Sequence, residues 1–167
     1  MTNIGLVLDR LHKCRVDFMV VGGVAATAHG SARVTYDIDI LYSRLPDNIT
    51  RLVEALRPLS PYLRGAPVGL PFVWDAKTVQ AGLNFTLTTS HGSVDLLGEM
   101  AGVGRFEDAR AHATPMRLTS HDSLVIDLPW LIKAKRAAGR PKDLEVLAEL
   151  ELLQDLGDDD GARSTAQ

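Results

Sequence analysis

The stretch Tyr36-Asp37-Ile38-Asp39-Ile40-Leu41 fixes more about the fold than any other short segment of this chain. Acids alternate with β-branched residues, and on a strand successive side chains point to opposite faces. Ile38 and Ile40 therefore belong to a buried face, while Asp37 and Asp39 share the other, about 6 to 7 Å apart along the backbone. Two carboxylates side by side repel each other and are costly to cover unless something positive binds there. A hard divalent cation such as Mg²⁺, or Mn²⁺, takes oxygen ligands and keeps positions open for substrate phosphates, so it fits the pair best.

Fourteen residues before Asp37, Gly22-Gly23 closes the apolar run Phe18-Met19-Val20-Val21. That run reads as a buried strand, and Val24 to His29 as a short helix ended by Gly30. The glycines carry no side chain to block an anion, and the helix they open offers free N–H groups and a positive dipole end. A second strand is expected over Arg33 to Leu41. Further on, Leu83, Phe85 and Leu87 alternate with polar residues, His91-Gly92 turns, and Val94-Asp95-Leu96-Leu97 returns, which predicts a β-hairpin with Asp95 on its second strand.

The remaining elements follow from periodicity and caps. Ile4, Val7, Leu8, Leu11 and Cys14 predict an amphipathic first helix, with Thr2 or Asn3 as its cap and Cys14 as a core residue. Pro46-Asp47 opens another helix, which Pro58 ends. Prolines and glycines break up residues 58 to 80, leaving a variable loop with a possible short strand at Phe72 to Trp74. Met116 to Leu118 and Leu124 to Ile126 read as two short strands. Asp127 caps a helix over Trp130 to Ala138, and Pro141 starts a last one carrying Leu144, Leu147, Leu150 and Leu153. Gly157-Asp158-Asp159-Asp160-Gly161 predicts a disordered tail over 157–167.

One domain over 1–156 is expected, with a core at about 15–100 and a helical C-terminal part at about 127–156. The chain has 167 residues, 46% of them apolar and 23% charged, as a single soluble domain requires. No apolar run is long enough to cross a bilayer, and the N-terminus lacks the features of a signal peptide, so no membrane partner and a cytoplasmic location are expected. With 18 basic and 21 acidic residues the net charge is −3, so nothing global advertises nucleic-acid binding, although a local basic patch is open.

Taken in order, Gly22-Gly23 after a strand, then Gly30-x-x-Arg33-x-Thr35-x-Asp37-Ile38-Asp39, then Asp95 on a later strand, resembles the minimal nucleotidyltransferases of the DNA polymerase β superfamily. Within it, Val20-Val21-Gly22-Gly23-Val24-Ala25 with His29-Gly30, and the segment Leu131 to Asp143, look most like the AbiEii/MenT-like toxin branch. The resemblance spans roughly residues 15 to 150. It implies an α/β (α+β) nucleotidyltransferase fold, a mixed twisted sheet flanked by helices with further helices at the C-terminus. It also implies transfer of a nucleoside monophosphate from a nucleoside triphosphate (NTP) to a hydroxyl. Phosphoryl chemistry of this kind is mostly positioning and charge neutralisation.

On that likeness Asp37 and Asp39 would hold Mg²⁺ or Mn²⁺, and Asp95 would serve as a third ligand or as the base that takes the hydroxyl proton. Gly22 and Gly23 would cradle the triphosphate, while Arg33 and Lys135 would neutralise phosphate charge. Many members of the superfamily place a Gly-Ser pair about ten residues before the Asp-x-Asp, with the serine hydroxyl on a phosphate. Here Val24 follows the glycines and Gly30-Ser31 comes later, which leaves Ser31 as a candidate phosphate contact. Lys133 and Lys135 face different sides of a helix, so one of them reaches the site, and the resemblance favours Lys135. Plainer readings stand beside these: His29 as a packing or capping residue, Thr35 as a β-former, Arg140 and Lys142 as solvated helix-end charges, and Asp143 as a carboxylate favouring a helix dipole.

Three functions are compatible with the pattern. The first is a toxin of a toxin–antitoxin pair that modifies the tRNA 3′ end or another macromolecule, with an antitoxin protein as partner. The second is nucleotidylation of a small molecule such as an antibiotic. The third is a non-catalytic regulator that binds nucleotide or a partner. A tRNA acceptor calls for a basic surface beside the site, drawn from residues such as Arg33, Lys77, Arg105, Lys133, Lys135, Arg136 and Arg140.

Overall fold

In the computed structural model, which describes residues 1–164, four consecutive apolar residues form the first strand, β1 (Phe18–Val21), and all four are buried. It follows α1 (Ile4–Lys13), where the Asn3 side chain accepts from the Leu6 amide as N-cap and Val7, Leu8 and Leu11 are buried. Cys14 takes the C-cap position and packs half-buried against the core. At Gly22 the chain passes directly into α2 (Gly22–Ala28), with His29 as C-cap.

Strand β2 (Asp37–Tyr42) starts four residues later than the sequence pattern suggests. Residues 33–36 are irregular, because the Ala32 amide and the Arg33 side chain are bound to Glu149 and the Thr35 hydroxyl donates to the Asp37 carbonyl. Helix α3 (Pro46–Leu56) has Pro46 in its first turn and is continued by a 3-10 turn containing Pro58.

The proline-rich segment contains a two-residue strand, β3 (Tyr62–Leu63), and a short helix, α4 (Ala76–Ala81), whose Asp75 side chain caps the Thr78 amide. No strand forms over Phe72 to Trp74. Trp74 is buried instead, its indole N–H donating to the Val53 carbonyl, so its apolar bulk serves the core rather than a ladder.

The expected hairpin is β4 (Phe85–Thr89) and β5 (Gly92–Leu97), with alternate β4 residues buried. A short helix, α5 (Phe106–Ala109), leads into a second hairpin, β6 (Ala113–Arg117) and β7 (Asp122–Ile126). Helix α6 (Leu128–Ala138) ends at Gly139, whose φ of +62° is the left-handed value that glycine supplies. Asp127 occupies its N-cap position without capping it, since the carboxylate accepts from the Thr114 hydroxyl across the hairpin. The last helix, α7 (Pro141–Ser164), runs on through residues 157–164, where a tail was expected. Gly157 and Gly161 weaken a helix by about 1 kcal/mol each, but neither removes a hydrogen bond as proline does. The end of the expected tail, 165–167, lies outside the described residues.

The seven strands make one mixed sheet in the order β3-β4-β5-β2-β1-β7-β6. Strand β1 is antiparallel to β2 and parallel to β7, and β2 is parallel to β5. The helices form two packed groups, α1 with α3 and α4, and α2 with α6 and α7. Among the described residues no helix is long and apolar enough to cross a membrane.

Candidate active site

The register of the three inner strands brings the singled-out acids together. Asp39 pairs with Val21 on one side and with Asp95 on the other, so the end of β1, the middle of β2 and the middle of β5 lie in one line across the sheet. Ile38 and Ile40 are fully buried, and Asp37 and Asp39 remain partly accessible on the opposite face.

Gly22 admits Asp39 to this position. A Cβ built on Gly22 would overlap the Asp39 carboxylate, and the φ of +62° there already disfavours any other residue. Gly23 plays a related part, since its Cβ would fall 2.6 Å from the Thr35 hydroxyl oxygen. The Gly23 amide, expected to face a phosphate, donates to the Asp39 carboxylate. Thr35 is more than a β-former: its hydroxyl donates 3.1 Å to Asp37 Oδ1 and so orients that carboxylate.

Burial raises the Asp39 carboxyl to about 6, helped by the charges of Asp37 and Asp95 and opposed by the Gly23 amide and Lys135. Asp95 is also pushed up, chiefly by burial, although Arg64 works against this. The Arg64 guanidinium lies 2.7 Å from Asp95 Oδ1 and 4.0 Å from Asp37 Oδ2. Arg64 sits in the segment read as a variable loop, and no sequence signal marks it out.

Lys135 reaches the site from α6 and Lys133 does not. Lys133 lies over the Trp130 ring at 4.5 Å, whereas Lys135 Nζ is 3.1 Å from Asp143 Oδ1 and its charge is felt at Asp39. Asp143 is not a solvated helix-end acid. Its side chain is only 2% exposed, and Arg140 binds it through Nε at 2.6 Å and a second guanidinium nitrogen at 3.2 Å. Burial alone would raise this carboxyl, but the hydrogen bonds from Arg140 and Lys135 outweigh it and hold it below the usual range.

Arg33 and Ser31 sit beside the acids and are engaged by α7. Arg33 bonds to the Glu145 carbonyl at 2.9 Å and to Glu149 Oε2 at 3.3 Å. Buried Ser31 accepts from the Arg33 amide and bonds to Glu149. His29 is a packing and capping residue, its Nε2 bonded to the Ile126 carbonyl at 2.7 Å.

Two cavities meet over Asp39, sharing Gly22, Lys135, Arg140 and Asp143. One, of about 310 Å³, is polar and is lined by Ser31, Arg33, Asp37, Asp95 and Lys142 as well. The other, of about 230 Å³, has apolar walls from Leu97, Met100, Leu131, Ala134 and Ala138, with Asn84 and Glu99 on its rim. The sequence offered no sign of this second cavity, whose lining is drawn from stretches of chain far apart in sequence, from Val21 to Asp143.

No protein-family model matches the chain, and no curated protein matches it. A solved structure does: a proposed nucleotidyltransferase from Thermotoga maritima superposes with a TM-score of 0.53, covers 86% of each chain and is 17% identical. The fold is nucleotidyltransferase-like. Its mixed sheet flanked by helices is the architecture that the resemblance implied.

Among the described residues no group of three or more His, Cys, Asp or Glu side chains is gathered closely enough to hold a metal ion. Asp37, Asp39 and Asp95 face one space, and Arg64 takes up the charge of two of them. The donor set nonetheless suits a hard cation. It consists of carboxylate oxygens only, and the charges of Asp37 and Asp95 add to burial in raising the Asp39 carboxyl, which Lys135 only partly opposes.

Proposed function

We propose that the protein is a metal-dependent nucleotidyltransferase that moves a nucleoside monophosphate from an NTP to a hydroxyl. The single observation that carries this reading is the alignment of Asp39 with Asp95 across β2 and β5, beside a cavity lined by cations. The nucleotidyltransferase-like fold supports it.

In this reading Asp37, Asp39 and Asp95 would hold Mg²⁺ or Mn²⁺, which would supply charge neutralisation at the phosphates and lower the proton affinity of the attacking hydroxyl. Arg140, Lys142 and Lys135 bind the triphosphate from the wall of the polar cavity, with Arg33 and Ser31 at its edge. Asp143 positions Lys135 and Arg140 without touching substrate. The acceptor oxygen forms a bond to the α-phosphorus, the bond from that phosphorus to the bridging oxygen breaks, and pyrophosphate leaves. The hydroxyl proton passes to a carboxylate, Asp95 if that residue acts as base rather than ligand, and then to solvent.

The tRNA 3′ end as acceptor, a toxin role and an antitoxin partner rest on the resemblance of the glycine and Leu131–Asp143 segments. One observation favours a small-molecule acceptor instead. Cations outside the triphosphate wall that a tRNA would need are engaged by α7, with Arg33 on Glu145 and Glu149 and Arg136 on Glu151. The test is incubation with each radiolabelled NTP, Mg²⁺ and total tRNA, alongside a panel of hydroxylated small molecules. Wild-type protein is expected to label one acceptor, and Asp39→Ala none. Absence of transfer by the wild type, or equal transfer by the variant, would sink the reading.

A further inference from the structure

We infer that Arg64 is the resident counter-ion of the carboxylate cluster in the metal-free protein, and that it gives up this place when a divalent cation binds. The inference rests on the proposed metal-dependent reading and adds to it a device, internal to the chain, that sets how tightly the site takes its metal.

Three observations carry it. First, the guanidinium contacts Asp95 and approaches Asp37, two of the three acids, and it comes from a different element than Lys135: Arg64 follows β3 at the sheet edge, whereas the lysine comes from α6. Second, the hold is incomplete. Arg64 Nε is a buried side-chain nitrogen with no hydrogen-bond partner, the only such side-chain atom found among the described residues. A guanidinium placed there for stability alone would use that donor, since a buried unpaired N–H is costly. Third, the segment that carries it lies at the sheet edge, held to β4 by the Arg64 amide on the Thr86 carbonyl and a guanidinium nitrogen on the Leu87 carbonyl. β3 is two residues long, it pairs on one side only, and Gly65 beyond it has a φ of +76° with open space around it. Elements of this kind open locally at low cost, whereas the acids stand on inner strands.

The charge arithmetic agrees. Two or three carboxylates cannot remain ionised together without a cation, and a divalent ion and a guanidinium on the same oxygens compete for them. Arg64 thus offsets part of the charge of Asp95 and Asp37 and holds the Asp95 carboxylate in place before metal arrives, and it weakens metal binding by the work of its own displacement.

The test is Mn²⁺ binding to the full chain, read as loss of the free-ion paramagnetic resonance signal, with no nucleotide present. Arg64→Met should bind Mn²⁺ at least about tenfold more tightly than wild type, as removal of a nearby like charge requires, with Arg64→Lys between them. Asp39→Asn should bind it least. In parallel, the side-chain Nε–H resonance of Arg64 in wild-type protein should move on titration with Mg²⁺. This second measurement decides the matter alone if Arg64→Met does not fold. Unchanged or weaker Mn²⁺ affinity in a folded Arg64→Met, an Arg64 resonance that stays put as Mg²⁺ binds, or no metal binding by any form would each overturn the inference. Metal binding as described with no nucleotide transfer would leave Arg64 its role and overturn the transferase reading instead.

Discussion

Asp39 and Asp95 face each other as register partners on adjacent parallel strands; burial raises the proton affinity of both, and the charges of Asp37 and Asp95 add to the rise at Asp39. A carboxyl raised to about 6 takes up a proton in the folded state before it does so in the unfolded chain. Folding is therefore favoured at low pH by this group, and the advantage is lost as pH rises from about 4 through about 6. At pH 7.5 the ionised group costs on the order of 3 kcal/mol in the metal-free protein. Asp39→Asn should stabilise the protein at pH 7.5 by about 1 to 3 kcal/mol, with the gain vanishing near pH 4, while abolishing transfer. Urea denaturation at the two pH values, without added metal, measures this.

Asp143 has the opposite sign. Its carboxyl is held down by Arg140 and Lys135, so it stabilises the fold above the ordinary carboxylate range and loses that contribution as pH falls through its lowered value. Asp143→Ala would leave two cations facing a buried, empty position. Removing one partner of a buried pair typically costs about 3 to 5 kcal/mol. The expected result is a large fall in the urea midpoint, and loss of transfer that Asp143→Glu only partly restores.

Gly22→Ala combines two penalties, a left-handed backbone and an overlap with the Asp39 carboxylate. Destabilisation of more than about 2 kcal/mol is expected, and with it displacement of Asp39 and loss of transfer. A stable variant with full activity would show that Asp39 does not need this position.

Arg33 should behave differently, because its pairs with Glu145 and Glu149 are solvent-exposed. Arg33→Ala is expected to change stability by less than about 1 kcal/mol. If Arg33 binds phosphate at the cavity edge, KM for the NTP should rise about three- to tenfold with kcat little altered.

Much of this was legible in the sequence because it depends on period and on chain direction. The alternation at Asp37 to Leu41 carried both the strand and the face of its acids, and the hairpin carried Asp95 on its second strand; that this strand lies beside β2 came from the structure. The helical offset of Lys133 and Lys135 separated the lysine that meets Trp130 from the one that meets Asp143. What stayed hidden depends on approach from distant segments. Arg64 follows a two-residue strand too short to have a pattern, and Asp143 looks like an ordinary helix-start acid until α6 and α7 pack and bury it. The role of Thr35 was invisible for the same reason, since it needs both Gly23 and Asp37 in place.

The acids stand on strands hydrogen-bonded on both sides, while Arg64 comes from the sheet edge and the cations from the C-terminal helices. Amide exchange should consequently be slowest at the floor of the site and fastest along its walls. A chain built this way can acquire new walls through mutation or insertion without disturbing its floor.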